Sequence, residues 1–247
     1  MNDRHVQKRP FNTTYFKEYY KGYRNSIDDL FPSEKRFFKP FLDNGRRLLD
    51  VGCAIGGFYE IVSSCDPNIH YTGVDVAEEL VSVAQQRFKA VRFEVSDGVN
   101  LPFQQGEFDR VLSLGTTVHD PKWDQLLTRC YDVCSEKFLF DLRICSDLNT
   151  INSVDQGYVQ DGAEVRYPYV VIAWTDFKSW IASLKVPPAK VEIFGYWGSA
   201  NADTTLPVGY ERICMACVVI HKCPEEYVGK VPPELEYELD LPMEFVL

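Results

Sequence analysis

The chain has 247 residues, a formal charge of −10 and 45% hydrophobic residues, enough apolar side chain for one sizeable domain with additions. An acidic chain with no long basic run repels phosphate backbones, so nucleic acid is not the expected substrate. No apolar run approaches the ~20 residues of a membrane span and the start, Met-Asn-Asp-Arg-His, has no apolar signal core, so a cytoplasmic protein that engages no membrane is expected.

Residues Phe11 to Phe41 are rich in rings. Tyr15, Tyr19 and Tyr23 share one helical face, and Phe16 and Tyr20 a neighbouring one. Residues 1–47 are therefore expected to be helical, either packed on the core or lying over a site as a lid. Leu48-Leu49-Asp50-Val51 then reads as a strand ending in an acid, Gly52 to Gly57 as a glycine turn, and Phe58, Ile61, Val62 and Cys65 as one helical face. Glycines in such a turn let a ligand approach the strand end, and the helix that follows offers unpaired N–H groups. Ile69 to Asp75 is a second strand ending in an acid, Glu78 to Phe88 a helix, and Val91 to Val95 a third strand. Asp97-Gly98 and Leu101-Pro102-Phe103 follow, then a fourth strand, Phe108 to Leu114, closing at Gly115. A helix carrying Trp123, Leu126, Leu127, Cys130 and Cys134 leads to the apolar strand Lys137 to Ile144. Strands alternating with helices in this way predict a parallel sheet with helices on its faces.

The acid-x-Gly-x-x-x-Gly turn of Asp50, Gly52 and Gly56, the acid Asp75, and Asp97-Gly98 ahead of Leu-Pro-Phe and Phe108-Asp109-x-Val111 together resemble the class I, Rossmann-like S-adenosylmethionine methyltransferases. The resemblance runs from about Leu48 to Ile144 and more weakly to Ile220. It implies a seven-stranded, mostly parallel sheet with helices on both faces and a C-terminal antiparallel hairpin. It also implies transfer of a methyl group from S-adenosyl-L-methionine to an oxygen or nitrogen of a small molecule, leaving S-adenosyl-L-homocysteine. Asp50, Gly52, Cys53, Gly56 and Gly57 would receive the methionine part, Asp75 with Val76 the ribose, Asp97 and Gly98 the adenine, and Leu114-Gly115 would lie beneath, with Tyr15, Tyr19 and Tyr20 as cover. Two other readings stand beside this one: a cofactor-binding regulatory or scaffold subunit without transfer, and a nicotinamide-dependent oxidoreductase. Ala54 disfavours the oxidoreductase, because it stands where the dinucleotide fingerprint has its second glycine.

His119, in the loop after the fourth strand, is the candidate general base, since an imidazole there could take a proton from the acceptor. Asp141 and Arg143 share a face of the fifth strand and read as a structural pair or a substrate clamp. Tyr196 and Trp197 lie in a glycine-rich stretch expected to be a loop suited to ring stacking, or equally to a homodimer contact. Residues 145–168 and 195–211 are the expected pocket insertions of a domain spanning 48–223, and 224–247 is an acidic tail. The eight cysteines are scattered through predicted elements, and Cys214-x-x-Cys217 falls in a strand where its two residues point to opposite faces, so no metal site is expected.

Overall fold

In the computed structural model, residues 18–21, 24–146, 149–160, 166–199, 204–223 and 235–242 are described. Five parallel strands form its centre: β1 (Arg47–Val51), β2 (His70–Asp75), β3 (Arg92–Val95), β4 (Phe108–Ser113) and β5 (Cys134–Cys145). They lie in the order β3-β2-β1-β4-β5. The chain continues through β6 (Tyr158–Gln160), β7 (Arg166–Pro168), β8 (Ile172–Ala173), β9 (Pro188–Ser199), β10 (Thr204–Thr205), β11 (Arg212–Lys222) and β12 (Glu236–Asp240). β11 runs antiparallel to both β5 and β9, which completes the expected seven-stranded sheet and its antiparallel pair. Among the described residues the sheet has nine strands, because β12 adds in parallel to β9 and β8 pairs beside β5. Part of the acidic tail is thus an edge strand. Its Glu238 meets Lys190 Nζ at 2.7 Å, which offsets the like charge that Glu192 brings to the same edge.

Helices cover both faces: α1 (Pro32–Leu42), α2 (Gly57–Cys65) and α3 (Glu78–Arg87) on one, α4 (Trp123–Val133) and α5 (Trp174–Ser183) on the other. The period of two decides which strand residue goes where. Leu48, Leu112, Leu139 and Cys217 pack with Phe38, Phe58 and Val81. Their neighbours Leu49, Val111, Phe138 and Ala216 pack with Leu127, Phe177 and Ile181. Cys217 and Cys214 accordingly belong to opposite faces, and no group of metal-ligating side chains occurs among the described residues.

The N-terminal segment divides. Its α1 is not a lid but part of the core, burying Phe37, Phe38, Phe41 and Leu42 against β5, β9 and β11. Arg110, buried on β4, fastens its end: Nε donates to the Phe41 carbonyl at 2.6 Å and a terminal nitrogen to that of Asp43 at 2.5 Å, satisfying carbonyls that a helix terminus leaves open.

Two expectations for the second half change. Residues 195–199 are not loop, because β9 runs on to Ser199. A Cβ at Gly195 would lie 2.7 Å from Leu241 and 2.8 Å from Cys214, and one at Gly198 would lie 2.2 Å from Met215 Sδ. These glycines admit neighbouring side chains over a strand; they do not turn the chain. The expected insertions also meet: β6 pairs with β7 from the first and with β10 from the second, making one small antiparallel sheet.

Candidate functional site

The carboxyl ends of the parallel strands are tied together in one row. Gly52 and Cys53 both donate backbone N–H to the Val74 carbonyl, at 2.8 and 3.0 Å, joining the tip of β1 to that of β2. Ser96 N–H donates to the Asp75 carbonyl at 2.9 Å, joining β2 to β3. On the other side, Thr116 Oγ1 donates to the Val51 carbonyl at 3.0 Å, and Gly115 N–H to Asp141 Oδ1 at 2.6 Å. Asp75, Asp97, Gly52 and Gly115 therefore stand at successive strand tips along one edge.

The glycine turn owes its shape to left-handed backbone at Gly52 (φ 89°), Ala54 (φ 46°) and Gly56 (φ 81°). A Cβ on Gly52 would come within 2.0 Å of Thr116 Oγ1, and one on Gly56 within 3.0 Å of Phe88 and Phe93. Ala54 is a non-glycine residue in a costly conformation, and its N–H is anchored on Asp75 Oδ2 at 2.9 Å. Asp75 Oδ1 accepts from Ala77 N–H at 2.9 Å. Burial raises the Asp75 pKa above the usual carboxylate value, and these backbone donors oppose the rise. Gly57 opens α2 directly behind the turn. Cys53 is buried, which pushes its thiol well up and makes it a packing residue. Asp50 is 1% exposed and accepts a short hydrogen bond from the Tyr71 hydroxyl; burial pushes it up to about 7.

Two valines break the burial pattern at this edge. Val76 is 50% and Val95 53% exposed, beside Asp75 and at the end of β3. Asp97 caps its own turn, accepting from Asn100 N–H at 2.7 Å and Asn100 Nδ2 at 3.0 Å. Gly98 serves close packing, since a Cβ there would lie 2.1 Å from Leu126. Leu114 is buried in the core, and Gly115 turns with φ 79°.

Tyr20 packs against the glycine turn in a cluster with Ala54, Ile55, Ala77, Leu80 and Tyr167. Tyr19 is exposed and meets Tyr20 edge-on at 5.3 Å, so it does not join that cluster as expected; Tyr15 lies outside the described residues. Tyr167, from β7, has no signal in the sequence, because strand pairing within the insertion brings it here.

Arg24 is a second residue that sequence patterning misses. Held in left-handed backbone (φ 57°), it stacks its guanidinium over Phe31 and over Phe58 in the first turn of α2, 4.8 and 5.6 Å from the ring centres. A terminal nitrogen lies 3.6 Å from where a Gly115 Cβ would stand. Its partner is Glu34, fully buried, at 2.6 Å. Burial pushes Glu34 up to about 7, outweighing the Arg24 charge.

His119 sits on a short turn, Thr117–His119, with Nδ1 3.2 Å from the Pro168 carbonyl and its ring edge-on to Tyr167. That contact makes Nδ1 the donor and leaves Nε2 with its lone pair. Burial lowers the His119 pKa, so the ring is neutral at pH 7. Asp141 and Arg143 are a structural pair, not a clamp. They are buried, meet at 2.9 Å, and spend their remaining contacts on Gly115 N–H and the Tyr169 hydroxyl. Trp197 leaves the expected loop for β9 and carries Arg212 over its ring at 4.3 Å. Tyr196, also on β9, pairs across to Met215 of β11. A cavity of about 300 Å³ opens at these ends of β5, β9 and β11, walled by Ile144, Cys145, Trp197, Tyr210, Arg212 and Ile213. The buried Tyr210 hydroxyl has no hydrogen-bond partner among the described residues. Val118, next to His119, packs with Cys145, Ile213 and Tyr210, so one layer of side chains separates histidine and cavity.

Residues 48–137 match the profile of a methyltransferase domain family. Phosphoethanolamine N-methyltransferase 2 of Caenorhabditis elegans is 30% identical over 104 residues, 39% of this chain and 23% of that protein. Ajmaline N-methyltransferase of Rauvolfia serpentina is 34% identical over 108 residues, 40% of this chain and 36% of that protein. The matches thus span about a quarter to a third of these relatives' own length, and other curated relatives are O-methyltransferases. Among solved structures, the N-terminal domain of EvdMO1 with S-adenosylhomocysteine bound superposes with a TM-score of 0.55 at 15% identity, over 76% of this chain and 79% of that one.

Proposed function

We propose that the chain is a class I S-adenosylmethionine-dependent methyltransferase, a reading supported by the match of residues 48–137 to a methyltransferase domain family, and that it methylates an oxygen or nitrogen of a small polar molecule. S-adenosylmethionine, when bound, supplies an electrophilic methyl group on a sulfonium. The observation that carries the reading is the fit of the tied strand tips to such a molecule: a glycine turn held in left-handed backbone at Gly52 and Gly56, and exposed apolar side chains at Val76 and Val95 beside it. Backbone N–H groups fix both Asp75 oxygens at the tip of β2, where they would meet the ribose hydroxyls. Asp97, whose turn is closed by Asn100, is the acid placed beyond β3 to meet an exocyclic amine. Val76 and Val95 offer apolar surface to a flat base. Arg24, over the N-terminus of α2, pairs a guanidinium with open backbone N–H groups, a combination that suits a carboxylate.

Transfer then needs an acceptor lone pair in line with the methyl carbon and water kept out. His119 Nε2, neutral and unprotonated, takes the acceptor's proton as the bond to carbon forms. Tyr20 and Tyr167 exclude solvent above the glycine turn. The Trp197–Tyr210 cavity, one layer of side chains from His119, is the side from which we place the acceptor's approach. The EvdMO1 domain has been crystallised in the presence of S-adenosylhomocysteine and D-fucose, which supports placing sugars first among acceptors to try.

The test is calorimetry with S-adenosylmethionine and S-adenosylhomocysteine, followed by labelled-methyl transfer into a fractionated metabolite extract. Saturable binding and label in a small polar product are expected. Absence of binding overturns the cofactor assignment. Binding without label in any fraction favours a regulatory or scaffold role.

A further inference from the structure

The charges around the glycine turn do not balance, and the imbalance falls on one residue. Four acids stand at or beneath the strand tips: Glu34, Asp50, Asp75 and Asp141. Two arginines accompany them, and each has a carboxylate within 3 Å: Arg24 meets Glu34 at 2.6 Å, Arg143 meets Asp141 at 2.9 Å. Asp75 is held by the backbone N–H groups of Ala54 and Ala77. Asp50 is buried at the end of β1, and no salt bridge with it occurs among the described residues. From β2 it faces the Tyr71 hydroxyl and, through space, the Asp75 carboxylate; from its own turn, the Cys53 thiol; from the N-terminal segment, Arg24, already committed to Glu34. An ionised carboxylate in that position repels Asp75 and gains in return one hydroxyl hydrogen bond and the smaller pull of Arg24, which is spent on Glu34. The complement it requires is a cation delivered from outside.

Resting on the cofactor assignment above, we propose that Asp50 is the proton-linked charge selector of the donor site: it is protonated in the empty protein and ionises as the cationic end of S-adenosylmethionine arrives. The carboxyl O–H bond breaks, the electron pair stays on Asp50, where Tyr71 continues to donate, and the proton leaves to buffer. S-adenosylmethionine carries ammonium, carboxylate and sulfonium, a net charge of about +1, whereas S-adenosylhomocysteine has lost the sulfonium and is net neutral. The donor therefore drives more ionisation than the product does, and the same carboxyl that attracts the donor holds the product less firmly after transfer. Burial of Asp50, which places its titration near 7, puts this exchange in the working range of a neutral solution.

Calorimetry of the full chain at pH 7, in phosphate and in Tris, reads the protons exchanged directly, because the two buffers differ in heat of ionisation. S-adenosylmethionine is expected to release a fraction of a proton and S-adenosylhomocysteine less, with donor affinity rising from pH 6 to 8 by up to about tenfold per unit, the limit for one proton. Asp50→Asn is expected to abolish the difference in proton count between the two ligands and to flatten the profile. Tyr71→Phe removes a donor that favours the ionised form and is expected to move the midpoint of the profile to higher pH, a second readout if the asparagine variant does not fold. Binding of both ligands with equal proton counts, or an unchanged count in Asp50→Asn, overturns the proposal while leaving the cofactor assignment intact. Failure of both ligands to bind overturns both.

Discussion

Gly52→Ala tests the requirement for bare backbone at the tip of β1. The added methyl would lie 2.0 Å from Thr116 Oγ1, and the residue would have to hold φ 89°. Backbone of that kind costs an L-residue about 1–3 kcal/mol. Pushing Thr116 aside breaks its 3.0 Å bond to the Val51 carbonyl, at about 1 kcal/mol more. Together these come to about 3 kcal/mol, or a fall in Tm of about 6–12 °C at the 2–4 °C per kcal/mol usual for a chain of this size. The same displacement opens the tie between β1 and β4, so affinity for S-adenosylmethionine should drop by at least ~10-fold, about 1.4 kcal/mol. Thermal melts and calorimetry measure both. In a Thr116→Ala background the offending oxygen is gone, and Gly52→Ala should cost less there by about 1 kcal/mol or more. Equal costs in both backgrounds would refute the clash as the cause. A Gly52→Ala protein melting within about 2 °C of the parent, and binding the cofactor within about twofold, would refute the whole account.

Arg24→Ala strands the buried Glu34 carboxyl, and loss of one partner of a buried pair costs about 3–5 kcal/mol. Because Glu34 can escape by taking up a proton, urea melts should show a smaller loss at pH 5 than at pH 8, and an equal loss at both would argue against the pairing. His119→Gln should lower kcat by ~10²–10⁴-fold while leaving cofactor affinity unchanged. With His119 in place, the acid limb of kcat/KM should fall below the usual imidazole value of 6.5, since burial lowers its pKa, and a full-rate glutamine variant would remove histidine from the mechanism. Asp50 holds a proton in the folded chain between its ordinary 3.8 and about 7, where the unfolded chain does not. Folding therefore binds protons in that window, and the Asp50 contribution to stability is lost as pH rises through it, by on the order of 4 kcal/mol at most. The difference between parent and Asp50→Asn in melts from pH 4 to 8 reads that loss, and a parallel pair of curves would contradict it.

Local order alone carries the central sheet. Apolar runs ending in Asp50 and Asp75, the Gly52–Gly57 turn and the i, i+3, i+4, i+7 stripes specify strand, turn and helix from neighbours a few residues apart, and such signals survive in a linear reading. The second half was legible only in part. Gly195 and Gly198 look the same whether a chain turns or a neighbouring side chain needs their space, and only Leu241 and Met215, distant in sequence, tell the two apart. The acidic tail concealed β12 for a similar reason, since a five-residue edge strand depends on the strand it meets.

By itself, then, the order of residues determined a parallel α/β sheet with carboxylates and glycines at its strand tips, because periodicity and turn chemistry are local. Tertiary structure decided what those groups have for company. Arg24 beside Glu34, Tyr167 over the glycine turn, Asp141 spent on Gly115 and Asp50 buried against Tyr71 with no ion pair among the described residues all arise between distant segments. Burial and charge pairing, which set how each group titrates and what it can hold, exist only once those segments have met.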